Sequence, residues 1–173
     1  MMLALTRRLL LASILVLVGA LLLASHAHAG PAYPAPKGVT VKGVQAGSHQ
    51  RAMIGRVLAT CRMLGASRKV QWAAVATITQ ESTARNLTGG HGTSVGLFQI
   101  IDLHGTWRQR HTPEWSADWF CRRAINVDRH RPRIGVGALA QAVQRSAHPT
   151  AYSQWVREAQ RTTRRTDADL RCG

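Results

Sequence analysis

Acidic residues are scarce in this sequence. Eight Asp and Glu stand against 23 Lys and Arg among 173 residues, a formal net charge of +15. That excess favours solubility and attraction to polyanions, among which charge alone does not choose. Cysteine is scarcer still. Cys61, Cys121 and Cys172 allow one disulfide and leave one cysteine over, and the sequence leaves the pairing open. No Cys-x-x-Cys and no His-x-x-x-His pair occurs, which argues against a metal site, and no cofactor is expected. No internal repeat is found, which argues against a stacked-repeat architecture. Aromatic residues make up 5% of the chain and are not interleaved with the basic ones, which speaks against specific nucleic-acid binding.

There is a single long apolar run, Leu9 to Ala24. Arg7 and Arg8 precede it, and Ala27 and Ala29 form a small-x-small pattern before Gly30. That order is expected of a secretory signal peptide, residues 1–29, cut after Ala29; the run is short for a membrane span. The protein is then expected to be secreted or associated with a cell wall, touching membrane only through the signal segment before cleavage. Residues 30–48 hold three prolines and four glycines and are read as an extended, partly flexible lead-in. Residues 49–173 are read as one mainly α domain.

Within it, Met53, Val57, Leu58, Cys61 and Leu64 recur at three- and four-residue steps. They predict a helix capped by Ser48 and ended by Gly65. Ser67 is expected to cap a second helix through about Ser82, with Val70, Ala73, Ala74, Thr77 and Ile78 on its apolar stripe. Asn86 to Gly92 is turn chemistry. The apolar stretch 93–104 fits a hairpin strand, a short helix, or one after the other. Thr112-Pro113-Glu114 predicts a helix start with a capping hydroxyl, running to about Val127. Two further helices are expected over Gly137–Ala147 and from Tyr152 to about Thr163. The sum is a single helical domain with a small β-like or irregular insert at 86–103.

Glu81 is the first acidic residue of the chain and the only one between Pro31 and Arg85. Ile78, Thr77 and Ala74 lie three, four and seven residues before it, so it shares their apolar stripe. It also stands near the negative end of the helix dipole. Burial and dipole both disfavour the ionised carboxylate and raise its pKa toward the range of a general acid at neutral pH. Gly89, Gly90 and Gly92 allow close backbone approach, and Gln99 offers a donor and an acceptor. A proton-donating carboxyl beside an open, glycine-lined cleft suits glycosidic bond cleavage. The alternative is an ordinary last-turn glutamate paired with Arg85.

Glu81-Ser82, a polar turn, and then Ser94-Val95-Gly96-Leu97-Phe98-Gln99-Ile100 resemble the Glu-Ser … Gly-Leu-Met-Gln pattern of lytic transglycosylases and goose-type lysozymes. The likeness runs from about Val70 to Ile101. Residues 139–152, LAQAVQRSAHPTAY, look like the following helix in secreted actinobacterial members, and together they cover about two-thirds of the expected mature domain. The resemblance implies a mainly α, α+β lysozyme-like fold with its insert beside the active cleft. It implies cleavage of the β-1,4 bond between N-acetylmuramic acid and N-acetylglucosamine, with Glu81 as general acid. In transglycosylases the same glutamate then acts as base while the muramic 6-hydroxyl closes an anhydro ring. The residues matching Ser94 and Gln99 lie in the sugar cleft.

The chain departs from the family pattern where transglycosylases carry Ala-Tyr-Asn-Ala-Gly, having Ala142-Val143-Gln144-Arg145-Ser146 instead. Gln144, Ser146 or Tyr152 is a candidate replacement for the tyrosine contact to substrate. Asp102, nearest in sequence to the insert, is the candidate second acid. Trp107 is the aromatic candidate for the cleft, whereas the helical spacing of Trp115 and Trp119 predicts core. The expected partners are peptidoglycan strands and anionic wall polymers. A non-enzymatic, cationic wall-binding module is the alternative.

Overall fold

The computed structural model describes residues 36–172, and of residues 170–172 only the backbone. The expected signal peptide and the start of the lead-in lie outside the described residues. The fold is mainly helical with one small two-stranded sheet: β1 (Thr40–Val41), β2 (Val44–Gln45), α1 (Ser48–Met63), α2 (Arg68–Ser82), α3 (Trp107–His111), α4 (Pro113–His130), α5 (Val136–Gln144) and α6 (Val156–Cys172), with 3-10 turns at Asp102–His104 and Ser153–Trp155.

Helix α2 is the hub, packed against α1, α4, α5 and α6. Its sequence explains why. Ala73, Ala74 and Ala76 are fully buried and let neighbouring helices come close, while Val70, Val75 and Ile78 fill the gaps between them. Burial reaches Ala76 and Thr79 as well as the expected stripe, so the helix is enclosed on nearly every side. Thr77 is accommodated by donating its hydroxyl to the Ala73 carbonyl at 2.8 Å. Ser67 caps the helix as expected, its hydroxyl accepting from the Val70 amide.

Two expected caps are corrected. Gly47, not Ser48, is the N-cap of α1, and the Gln50 side chain accepts the Gly47 amide at 2.9 Å. Thr112 is the N-cap residue of α4, but its hydroxyl does not cap the helix; it donates to the Arg108 carbonyl at 2.7 Å. Pro113 still opens that helix, and Glu114 in its first turn pairs with Arg56 of α1 at 3.2 Å. A disulfide joins Cys61 of α1 to Cys121 of α4, with Cα atoms 5.6 Å apart and a sequence separation of 60. A closed loop of that length is worth about 4 kcal/mol by the chain-entropy relation.

The described part of the lead-in is built into the fold, which corrects the flexible reading. β1 and β2 pair antiparallel with Thr40 opposite Gln45 and Val41 opposite Val44. Val39, Val41 and Ala46 are buried. Lys42 and Gly43 both have positive φ, 52° and 77°, as a tight two-residue hairpin turn requires. Lysine is an unusual choice at such a position. The turn is held from outside: Glu158 of α6, 7% exposed, accepts the Lys42 amide on Oε1 at 2.8 Å and the Gly43 amide on Oε2 at 2.9 Å. The sheet therefore lies before α1, whereas the insert at 86–103 is irregular apart from one bridge, Val95 to Ile100.

Replacing Glu158 by Gln leaves one of the two turn amides without its acceptor. We expect a loss of about 1–3 kcal/mol, read as a lower denaturant midpoint with unchanged slope. A midpoint equal to wild type would show that the turn does not depend on this carboxylate.

Candidate active site

Helix α2 ends under backbone strain. Thr83 and Ala84 both adopt left-handed φ, 55° and 52°, a costly conformation for a β-branched threonine. The Ala84 amide donates back to the Ile78 carbonyl at 2.8 Å, and Gln50 Nε2 donates to the Thr83 carbonyl at 2.9 Å. These contacts turn the chain sharply after Ser82 and leave Glu81 half-buried in the last helical turn.

The Ser82 hydroxyl crosses to the insert and donates to the Leu97 carbonyl at 2.8 Å. That carbonyl belongs to a tight loop closed by reciprocal hydrogen bonds between Val95 and Ile100 at 3.1 and 3.2 Å. The loop sends Leu97 and Phe98 into the core, where Phe98 stacks on Phe120 of α4 at 4.9 Å. Gly96 has φ +78°, and a Cβ there would overlap the Arg110 carbonyl, so no other residue fits. A loop buried this way must find partners for its carbonyls. Side chains supply all three: Gln99 Nε2 donates to Gly96 at 2.9 Å, Ser82 to Leu97, and Gln144 Nε2 to Phe98 at 2.9 Å.

Arg110 performs a similar task from α3. Only 5% exposed, it donates Nε to Gly105 at 2.8 Å and Nη1 to Thr93 and Ile100 at 2.5 and 2.8 Å, all carbonyl oxygens. Reading the sequence as a basic chain gave no reason to single it out from the other arginines.

Tyr152, fully buried, donates its hydroxyl to Glu81 Oε1 at 2.5 Å. The Ser146 side chain also acts on the Tyr152 hydroxyl, opposing the effect of burial. This corrects the expected role of Tyr152. A side chain with no solvent-accessible surface positions the carboxyl; it is not placed to grip substrate. Burial pushes the Glu81 pKa above its ordinary value, against the smaller opposing effects of the Tyr152 hydrogen bond and the Lys42 charge. Burial and the adjoining carboxyl push the Tyr152 hydroxyl well up, so it remains a donor. Lys42 arrives on the hairpin turn, its Nζ 3.3 Å from the Gln80 carbonyl and 5.7 Å from the Trp155 ring centroid. Trp155 donates Nε1 to Gln80 Oε1 at 2.7 Å. The Lys42 contribution was hidden because it comes from a segment read as lead-in.

A cleft of about 530 Å³ opens between α4 and α5, with Ile100 and Trp119 among its lining residues. Gln99 and Gln144 line it; Glu81, Ser94 and Asp102 do not. Glu81 reaches this wall through Tyr152 and Ser146, the neighbour of the cleft residue Arg145. Ser94 is half-buried at the start of the loop. Asp102 is exposed and opens a 3-10 turn, its amide donating to the Thr93 hydroxyl at 3.2 Å; it has no contact with Glu81. The glycine-lined cleft is corrected too. Gly89 and Gly92 face open space, and only Gly90 has a close neighbour, where a Cβ would overlap Gln99 Oε1. Trp119 rather than Trp107 faces the cleft. Trp107 is half-exposed, donates Nε1 to the Thr88 carbonyl at 3.2 Å and stacks on His111 at 4.5 Å. Among the described residues no group of three or more His, Cys, Asp or Glu could hold a metal ion, and no helix is long and apolar enough to cross a membrane.

No protein-family model and no curated protein matches the chain.

The raised Glu81 pKa has a consequence for stability. Below the unfolded-state pKa both states are protonated and the site costs nothing. As pH rises through the window up to the higher folded-state pKa, the unfolded chain releases its proton first, and the folded state loses stability. Glu81→Gln keeps an acceptor for Tyr152 and cannot ionise. We expect its melting temperature to exceed that of wild type at pH 7, with the gap closing as the pH is lowered to 4. A wild type that is the more stable at pH 7 would refute a raised pKa.

Proposed function

We propose that the protein is an exported peptidoglycan-cleaving glycosidase in which Glu81 is the general acid. The observation that carries the reading is the half-buried Glu81 carboxyl, held at 2.5 Å by a buried tyrosine and raised in pKa by burial. A carboxyl with a raised pKa holds its proton to higher pH and can give it to a glycosidic oxygen as the bond breaks. The likeness of Glu81-Ser82 and Gly96-Leu97-Phe98-Gln99 to the transglycosylase and goose-type lysozyme pattern names the bond, and the two halves of that pattern meet through Ser82 and Leu97.

Among the described residues no second carboxylate acts on Glu81; the one charged group that does so is Lys42. That favours a route in which the substrate supplies its own nucleophile, the muramic 6-hydroxyl, while Glu81 first gives and then recovers a proton. Asp102, exposed and remote in its contacts, is assigned no part. The signal-like segment supports export, and the arginine-rich surface supports retention on anionic wall polymers in a salt-sensitive manner.

Release of dye from labelled, purified peptidoglycan tests the reading. Wild type is expected to release it and Glu81→Gln to be slower by about 10²–10⁴-fold, with anhydro ends in the mass spectrum of the products. Equal release by both proteins, or none by either, returns Glu81 to a structural role and leaves a wall-binding module. Reducing ends would replace the anhydro route with hydrolysis.

Lys42→Asn removes a charge while keeping a residue suited to the positive φ of the turn. The Lys42 charge favours ionised Glu81, so its loss raises the Glu81 pKa further. Activity that needs protonated Glu81 falls as pH rises through that pKa. The alkaline limb of the kcat/KM profile is therefore expected at higher pH in the variant, and a shift to lower pH would contradict the assignment.

A further inference from the structure

The cleft wall includes an arginine, Arg123, that is not among the groups acting on Glu81. Arg123 lies one turn after Trp119 on α4. Its guanidinium carbon sits 4.0 Å from the Trp119 ring centroid, and Nη1 donates to the Trp119 carbonyl at 3.1 Å. The indole and the carbonyl together fix the plane of the group. Nε and Nη2 have no partner among the described residues, so one edge of the fork is left with two donors side by side.

The neighbouring residue shows the contrast. Arg122 is held by Asp118 at 2.8 and 3.0 Å, which raises its pKa, whereas Arg123 has no carboxylate and partial burial lowers its pKa. The cleft wall adds Arg145, His104 and Asn126 and contains no Asp or Glu. Several other carboxylates are engaged elsewhere: Asp128 by Lys69, Asp167 by Arg62 and Arg68, Glu114 by Arg56, Asp169 by the Lys37 amide and Glu158 by the hairpin turn; Asp102 is exposed and does not line the cleft. No carboxylate of the cleft wall pairs with Arg123 or Arg145. A planar fork with two adjacent free donors matches the two oxygens of a carboxylate.

We propose that Arg123 recognises a carboxylate on the bound polymer, so that the cleft takes a carboxylate-bearing glycan in preference to the same glycan with that group neutralised. The inference rests on the reading of the cleft as a glycan site. It assigns Arg123 to substrate choice and leaves proton transfer to Glu81.

The test uses the Glu81→Gln protein, so that glycan is not consumed. Isothermal titration at about 0.15 M salt compares a soluble N-acetylglucosamine–N-acetylmuramic acid tetrasaccharide bearing free lactyl carboxylates with its methyl ester. The free acid is expected to bind about tenfold more tightly than the ester. Adding Arg123→Gln is expected to abolish the difference while leaving ester affinity unchanged, which also reports that the cleft is intact. Equal binding of acid and ester, a preference that survives Arg123→Gln, or no binding of either glycan overturns the inference. Dye release by wild type answers the separate question of catalysis. Cleavage without carboxylate preference sinks the inference alone, and preference without cleavage sinks the enzymatic reading alone.

Discussion

Tyr152 and Glu81 solve each other's problem. Tyr152 is the largest fully buried side chain among the described residues, and a phenol in that position needs a partner for its hydroxyl. Glu81 ends a helix enclosed by four others, where a carboxyl is partly denied water and needs a donor. Their hydrogen bond satisfies both, and the surrounding structure is arranged to keep it. The strained exit at Thr83 and Ala84 fixes the last turn of α2. Ser82 ties that turn to the insert, Gln144 ties the insert to α5, and Ser146 ties the segment after α5 to the tyrosine. The same bond limits the pKa of the acid, because a donor to the carboxylate opposes what burial does.

The insert follows a related rule. Its Gly-Leu-Phe-Gln sequence puts two large apolar side chains in the core and must drag three carbonyls with them. Those carbonyls meet the side chains of Gln99, Ser82 and Gln144 instead of a strand partner. Arg110 does the same for Thr93, Ile100 and Gly105. The residues of the motif are thus largely explained by backbone satisfaction. The glycine leaves room for the Arg110 carbonyl, and the glutamine closes the loop while still lining the cleft.

Much of this was legible in the sequence where the signal is local. The three- and four-residue spacing of Ala74, Thr77 and Ile78 placed Glu81 on a buried face, and the Ser67 cap set the start of α2. The helical class followed from the same periodicity. What could not be read depends on contacts between distant segments. The hairpin turn at Lys42 and Gly43 is held by Glu158, more than a hundred residues later, so its sequence looked like a loose lead-in. The pairing of Cys61 with Cys121 depends on how α1 meets α4. Tyr152 was found as a candidate but given a substrate contact, since its full burial emerges only when α2, α5 and the turn before α6 come together. Asp102 was chosen for nearness in sequence, which says little about nearness in space.

The separations involved bear on how the site comes into being. Glu81 meets its tyrosine across 71 residues, and the Lys42 amide meets Glu158 across 116. Helices form from local contacts, but contacts this remote are among the last that a folding chain can make. On the ribosome, Glu81 emerges well before Tyr152, and the Lys42 turn well before Glu158. Until the final helix docks, the glutamate is an ordinary solvated carboxylate with an ordinary affinity for protons. The raised proton affinity of Glu81 is therefore a product of completed folding, and a chain caught partway through synthesis carries the residue without it.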